Sequence, residues 1–166
     1  MLKLFLGLAL VVATVGCNDT FREPVVLCTD RVCNFTCGDR CSPSCPTFGT
    51  TCEAQCGDSC QFRCADGDNC DVACGNNCLT ECTSVSSCVA ATGTGSTYAC
   101  TSASDCTVEL GDDSTAVCES VGNCNVTCDG TCTATCTEVG VCNVNCEEGD
   151  EQDCGDGVTV CGIDCP

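Results

Sequence analysis

Cysteine recurs in this chain with a fixed period of 18 residues, and that period limits the possible folds more than any other feature. Cys52, Cys70, Cys88, Cys106, Cys124 and Cys142 form one series with this step, and Cys64, Cys82, Cys100, Cys118, Cys136 and Cys154 form a second. Self-similarity at a short fixed period marks a stacked architecture, in which each unit completes the core of its neighbours. The units begin at Cys33, Cys52, Cys70, Cys88, Cys106, Cys124 and Cys142, the first of them one residue longer, and a partial unit begins at Cys161.

Counted from zero within a unit, cysteines fall at positions zero, four, eight and twelve. Position two is apolar or small throughout (Phe35, Ala54, Val72, Ala90, Val108, Val126, Val144), and position five is glycine at Gly38, Gly57, Gly75, Gly93 and Gly111. Side chains at positions zero, two and four share one face of an extended strand, as do those at eight, ten and twelve, with a Gly/Asp turn between. The three-to-four spacing of bulky apolar residues that a helix requires is absent. The pattern predicts an all-β, disulfide-rich β-solenoid over residues 28–166, with 18-residue coils and about seven rungs. With rungs about 4.8 Å apart the stack would be roughly 35 Å long.

Little else in the composition can hold a core. Cysteine supplies 27 of the 166 residues, above the level that marks a disulfide scaffold. Large aliphatic and aromatic side chains are sparse after residue 16, whereas a chain of this length ordinarily buries a sizeable apolar core. Sulfur takes that place.

The pairing can be argued from the cysteines that are missing. The units starting at Cys88 and Cys106 lack cysteine at both positions four and eight, carrying Thr92 and Ser96 in one and Leu110 and Ser114 in the other. Joint loss makes those positions partners across the turn: Cys37–Cys41, Cys56–Cys60, Cys74–Cys78 and Cys128–Cys132. Positions zero and twelve can pair within a unit or onward into the next. Pairing within units strands Cys28 and Cys161 at opposite ends. Onward pairing gives Cys28–Cys33, Cys45–Cys52, Cys64–Cys70, Cys82–Cys88, Cys100–Cys106, Cys118–Cys124, Cys136–Cys142 and Cys154–Cys161. Cys146 and Cys165 then remain, at equivalent positions of adjacent rungs, and make a thirteenth bond. Cys17 is left over. Each small loop contributes about 2 kcal/mol in the chain-entropy treatment.

Cys17 has its own explanation. Lys3 and an apolar stretch from Leu4 to Val12 precede a run of small residues, the layout of a signal peptide too short for a comfortable membrane span. A signal helix is therefore expected over residues 1–16. The run "LVVATVGC" resembles the lipobox of bacterial lipoproteins, although Thr14 stands where that family prefers Leu. The resemblance implies a lipid on Cys17, with residues 17–27 as anchor and short linker. With or without the lipid, export delivers the chain to an oxidising compartment where its cysteines become disulfides.

Most chemistry is excluded by what the sequence lacks. There is no His, Lys3 is the one lysine, and no positive charge follows Arg63, against eighteen carboxylates from Cys64 onward. General-base catalysis by His has no candidate, and no catalytic residue is expected. An acidic surface of net charge −19 does not bind nucleic acid, which relies on Lys and Arg. A thiolate metal cluster needs a reducing compartment, so no metal or other cofactor is expected. Two alternatives remain in view. Carboxylates crowd the turns "ADGDN" (65–69), "GDD" (111–113) and "EEGDEQD" (147–153), and Ca²⁺ takes six to eight such oxygens. The architecture is also similar to that of the insect antifreeze proteins, but their Thr-x-Thr row is matched only by Thr133 and Thr135, with Thr97 and Thr115 supplying half of it.

Taken whole, the lipobox and the C-x₃-C-x₃-C-x₃-C-x₅ repeat resemble the cysteine-rich tandem-repeat lipoproteins predicted in myxobacteria and related deltaproteobacteria. That resemblance implies a non-enzymatic structural or interaction protein of the cell envelope, anchored to the outer membrane or cell surface through Cys17. Asn18, not Asp, follows Cys17, which by analogy with enteric lipoproteins permits transport to the outer membrane. Its partner would be a protein or polysaccharide. The alternative is a secreted acidic module binding Ca²⁺ or a cationic partner.

Overall fold

The computed structural model of the chain describes residues 25–28, 31–46 and 50–165, and the expected signal helix and Cys17 lie outside them. Among the described residues every regular element is a strand, and no helix is long and apolar enough to cross a membrane.

Each coil contributes two strands. The first strands are β2 (Val32–Cys37), β4 (Thr51–Cys56), β6 (Asn69–Cys74), β8 (Ser87–Thr92), β10 (Asp105–Leu110), β12 (Asn123–Cys128) and β14 (Val141–Cys146). The second strands are β1 (Val25–Leu27), β3 (Ser42–Cys45), β5 (Gln61–Ala65), β7 (Leu79–Thr83), β9 (Thr97–Thr101), β11 (Ser114–Glu119) and β13 (Cys132–Thr137), followed by β15 (Glu151–Gly155) and β16 (Val158–Cys161). Even-numbered strands up to β14 stack into one seven-stranded sheet, and the others form a nine-stranded sheet. This is an all-β solenoid with an 18-residue period.

Register follows from equal coil lengths. Cys52 pairs with Cys70 and Cys70 with Cys88, and on the opposite sheet Cys64 pairs with Cys82 and Cys82 with Cys100. Each cysteine series is thus a column along the stack. Parallel sheets are usually covered by helices on their faces. Here the two sheets cover each other, because the chain returns through the opposite sheet before it re-enters the first.

The chain turns twice per coil through left-handed residues. Arg40, Ser59, Asn77, Gly95 and Asp113 occupy the first turn with φ between 55° and 69°, and Asp66, Ser84, Ser102, Ser120 and Glu138 the second with φ between 53° and 57°. Single residues tolerate this conformation at modest cost, lowest for Gly and then for Asn and Asp. The glycines at position five have a different task. A Cβ on Gly111 would lie 2.6 Å from the carbonyl carbon of Gly93 and 2.7 Å from the amide nitrogen of Thr94. Gly57, Gly75, Gly93 and Gly111 let each coil settle on the one before it, whereas Gly38 in the first coil has open space.

Between the sheets, side-chain size is balanced within each coil. Buried Ala54 shares a coil with Phe62, Val72 with Thr80, Ala90 with Tyr98, Val108 with Ala116, and Val126 with Ala134. In four of these five coils a bulky residue from one sheet accompanies a small one from the other, whereas Val72 and Thr80 are similar in size. The buried cysteines and Val85, Ala103 and Val121 complete a single core.

The regular stack holds about six turns in place of the seven rungs expected, because β14 continues its sheet but β15, the second strand of the seventh coil, does not pair with β13. The chain turns back at Asp156 and Gly157, both with positive φ (52° and 78°), as two-residue hairpin turns require. Strand β16 therefore runs antiparallel between β13 and β15, pairing Cys161 with Cys132 and Val160 with Thr133. A Cβ on Gly157 would stand 2.1 Å from the carbonyl oxygen of Cys136, so any larger residue here forces the hairpin to shift. The reversed strand takes the place of the seventh coil's second strand against β13, so the partial eighth unit expected from Cys161 does not form.

Candidate functional site

Sulfur dominates the interior. Across the second turn the bonds are Cys28–Cys33, Cys45–Cys52, Cys64–Cys70, Cys82–Cys88, Cys100–Cys106, Cys118–Cys124 and Cys136–Cys142. Across the first turn they are Cys37–Cys41, Cys74–Cys78 and Cys128–Cys132. The Cα atoms of these pairs are 6.0–6.6 Å apart, within disulfide reach. Bonds across the second turn tie the end of one coil to the start of the next, and bonds across the first turn close a coil on itself.

Three expected pairings are not found. Cys146 bonds Cys161, and Cys154 bonds Cys165, in place of Cys146–Cys165 and Cys154–Cys161. The hairpin is the cause. It sets Cys161 beside Cys132, in the column that position eight would occupy, where Cys146 meets it as Cys128 meets Cys132. The third is Cys56–Cys60, both of which carry free thiols.

Those thiols belong to a cluster. The sulfurs of Cys37, Cys41, Cys56 and Cys60 lie within 4.8 Å of one another. Cys60 Sγ is 2.9 Å from Cys41 Sγ, and Cys56 Sγ is 3.5 Å from Cys37 Sγ. Cys60 is fully buried and Cys56 half-buried. The amide of Cys41 donates to Cys60 Sγ at 3.3 Å, and the Cys60 thiol donates to the carbonyl of Gly38 at 3.2 Å. Burial and the neighbouring Cys60 push the Cys56 thiol up to about 12, and burial likewise raises Cys60. Four thiolates at this spacing would suit a tetrahedral thiophilic ion. Two of the four are committed to the Cys37–Cys41 bond, which leaves only two ligands.

The coils without turn cysteines show what position eight does besides bonding. Ser96 Oγ accepts from the amide of Cys78 at 3.1 Å, and Ser114 Oγ accepts from the amide of Ser96 at 3.0 Å. Both hydroxyls donate to glycine carbonyls, Ser96 to Gly75 and Ser114 to Gly93. Cys60 makes the same pair of contacts through sulfur. Serine therefore satisfies a buried backbone amide that would otherwise be orphaned.

Outside the sulfur framework the surface is polar and regular. On the nine-stranded sheet Thr97, Thr115 and Thr133 stand in register along one row, and Ala99, Val117 and Thr135 along the next. Leu79 and Glu81 continue these rows, so the regular Thr-x-Thr array of an ice-binding face is confined to the Thr133 coil. The first turns border an open groove of about 900 Å³ lined by Thr94, Glu109, Asp112, Asp129, Thr131 and Glu147 among others. Asp112 is already engaged there. Its Oδ1 accepts the Thr131 hydroxyl at 2.6 Å and the Thr131 amide at 2.8 Å, which hold its carboxyl below the usual range. Asp39, Asp58 and Asn76 act similarly, each accepting the amide one coil further on, at 2.9, 2.7 and 2.9 Å. These residues form a ladder bracing the turns. Asp66 of "ADGDN" is the left-handed residue of its second turn; of the carboxylates at 147–153, Glu147, Glu148 and Asp150 precede the strand displaced by the hairpin, and Glu151 and Asp153 lie in it.

The left-handed positions, the hairpin and the free thiols of Cys56 and Cys60 are the features that the repeat alone did not reveal. The signal for the hairpin was present in the Asp156–Gly157 dipeptide. No protein family, curated protein or solved structure matches this chain. The sulfur framework fits a structural protein in an oxidising environment outside the cytoplasm.

Proposed function

We propose that this chain is a non-enzymatic structural or interaction protein of the bacterial cell envelope, held at the outer membrane or cell surface by a lipid on Cys17. The observation that carries this reading is the sulfur framework, in which nearly every potentially nucleophilic cysteine is spent bracing one coil against itself or the next. Residues 28–166 also contain neither His nor Lys, the usual sources of a general base. What the fold offers instead is a stiff, acidic stack with two regular outer faces, suited to a protein or polysaccharide partner. The short stretch between Cys17 and Cys28 would keep that stack close to the membrane. Expression with its own leader in a bacterial host, followed by envelope fractionation and intact-mass analysis, tests the proposal. The expected product sits in the membrane fraction with acyl chains on Cys17, and a soluble product starting at another residue would refute the anchor.

The groove bordered by Glu109, Asp129 and Glu147 supports a second reading, binding of Ca²⁺ or a cationic partner. Calorimetric titration with Ca²⁺ of the chain and of Asp129→Asn/Glu147→Gln distinguishes it. Heat lost in the double variant would support this reading, and no heat in either protein would dismiss it.

A further inference from the structure

Of the three pairings open to the four sulfurs at the first turns of the first two coils, two join neighbours within a coil or in register between coils. One is the pairing within coils seen at Cys74–Cys78 and Cys128–Cys132. The other joins the coils, Cys37 to Cys56 and Cys41 to Cys60. Cys37 and Cys56 are register partners on adjacent parallel strands, whose spacing of about 4.8 Å falls within disulfide range. The nearest contact between the free dithiol and the existing bond is also one that joins the coils, Cys60 Sγ to Cys41 Sγ.

We propose that Cys37, Cys41, Cys56 and Cys60 form a thiol–disulfide exchange site whose fully oxidised state links the first two coils through Cys41–Cys60 and Cys37–Cys56. The first step is an isomerisation and needs no oxidant. Cys60 loses its proton and attacks Cys41 Sγ, the Cys41–Cys60 bond forms, and the Cys37–Cys41 bond breaks. Cys37 leaves as a thiolate and takes up a proton, so two thiols and one disulfide are present before and after. The step moves the thiol pair outward. It begins on buried Cys60 and half-buried Cys56, and ends on Cys37 and Cys56, both half-buried and 3.5 Å apart. In the second step an external low-molecular-weight disulfide accepts two electrons. Cys56 or Cys37 attacks it and releases one thiol, and the other cysteine resolves the mixed disulfide and releases the second. The product is a staple between coils at the end of the stack nearest the N-terminus, a cross-link the other first turns lack.

Burial of both thiols sets the pace. Exchange is slow at neutral pH and accelerates as pH rises, because the attacking species is the thiolate.

The test is disulfide mapping of the full chain, acid-quenched and alkylated before and after incubation with oxidised glutathione at pH 8.5. The expected product contains Cys41–Cys60 and Cys37–Cys56 peptides. Retention of Cys37–Cys41 with a new Cys56–Cys60 bond would overturn the proposal. Cys60→Ser supplies a control that folds on the precedent of Ser96 and Ser114, which occupy the same position. In that variant Cys37–Cys41 should persist and Cys56 should carry glutathione. A Cys37–Cys56 bond there would overturn the role of Cys60 as the attacking sulfur.

Discussion

Cys146 is bonded to Cys161, fifteen residues away, whereas the other first-turn bonds span four. The two kinds of bond are equivalent in space. Because β16 runs backwards beside β13, Cys161 stands next to Cys132 and takes up the position-eight column one rung further on. The cap is therefore built by the same sulfur geometry as the coils, from a residue that arrives from the opposite direction. An antiparallel strand at the end of a solenoid also protects a sheet edge that would otherwise recruit another chain.

The hairpin makes the cap vulnerable at one residue. Gly157→Ala adds a Cβ at positive φ, 2.1 Å from the Cys136 carbonyl oxygen. We expect a loss of about 1–3 kcal/mol, with the damage local to β15 and β16. Amide hydrogen exchange should show faster exchange at Cys136 and in β16, with the central coils unchanged.

The parts of this architecture visible in the sequence are those set by period. The 18-residue step of Cys52, Cys70 and Cys88 requires equal coils, equal coils require register, and register lines up the cysteines that bond onward. The joint absence of cysteine at positions four and eight also located the turn bonds. Two features escaped because they break the period. The Asp156–Gly157 turn reverses the chain, which exchanges the partners of Cys146 and Cys154. The thiols of Cys56 and Cys60 depend on competition among four sulfurs in two coils, and spacing within one unit does not encode it. The left-handed residues were hidden for another reason: Ser59, Ser84 and Glu138 carry no local signal for positive φ.

Serine at position eight replaces a hydrogen bond but not a cross-link. Ser96→Ala should cost about 1–3 kcal/mol, because the amide of Cys78 loses its buried acceptor. Thr92→Cys together with Ser96→Cys should restore the missing first-turn bond and add about 2 kcal/mol. Thr92 Oγ1 has no hydrogen-bond partner, so its removal sacrifices none. Intact mass before and after alkylation counts the added bond, and denaturant melts under non-reducing conditions measure the gain.

Tyr98 is the one tyrosine and is fully buried, with its hydroxyl 3.5 Å from the carbonyl of Cys88. Burial pushes its phenol above the ordinary value of 10. Between that value and the raised one the unfolded chain loses a proton that the native chain keeps, so stability falls as pH climbs above about 10. Absorbance near 295 nm should show no phenolate through the ordinary tyrosine range while the fold persists, then rise together with unfolding. Tyr98→Ala should cost about 3–5 kcal/mol, as for other large aromatic truncations.

Cys56, half-buried and raised to about 12, should be a sluggish nucleophile. Iodoacetamide reacts with the thiolate, so labelling of Cys56 at pH 8 should be far slower than that of a free cysteine of ordinary pKa near 8.5. The rate should climb about tenfold per pH unit through pH 10. Quantifying the alkylated peptide against time checks this.

The fold depends on sulfur joining each coil to the next across the second turn. Mass-spectrometric mapping of the native, acid-quenched protein tests it most directly. The expected peptides are linked Cys64–Cys70, Cys82–Cys88, Cys100–Cys106, Cys118–Cys124 and Cys136–Cys142, together with Cys146–Cys161 at the cap. Peptides linked Cys33–Cys45 or Cys52–Cys64 would place those bonds within coils and contradict it.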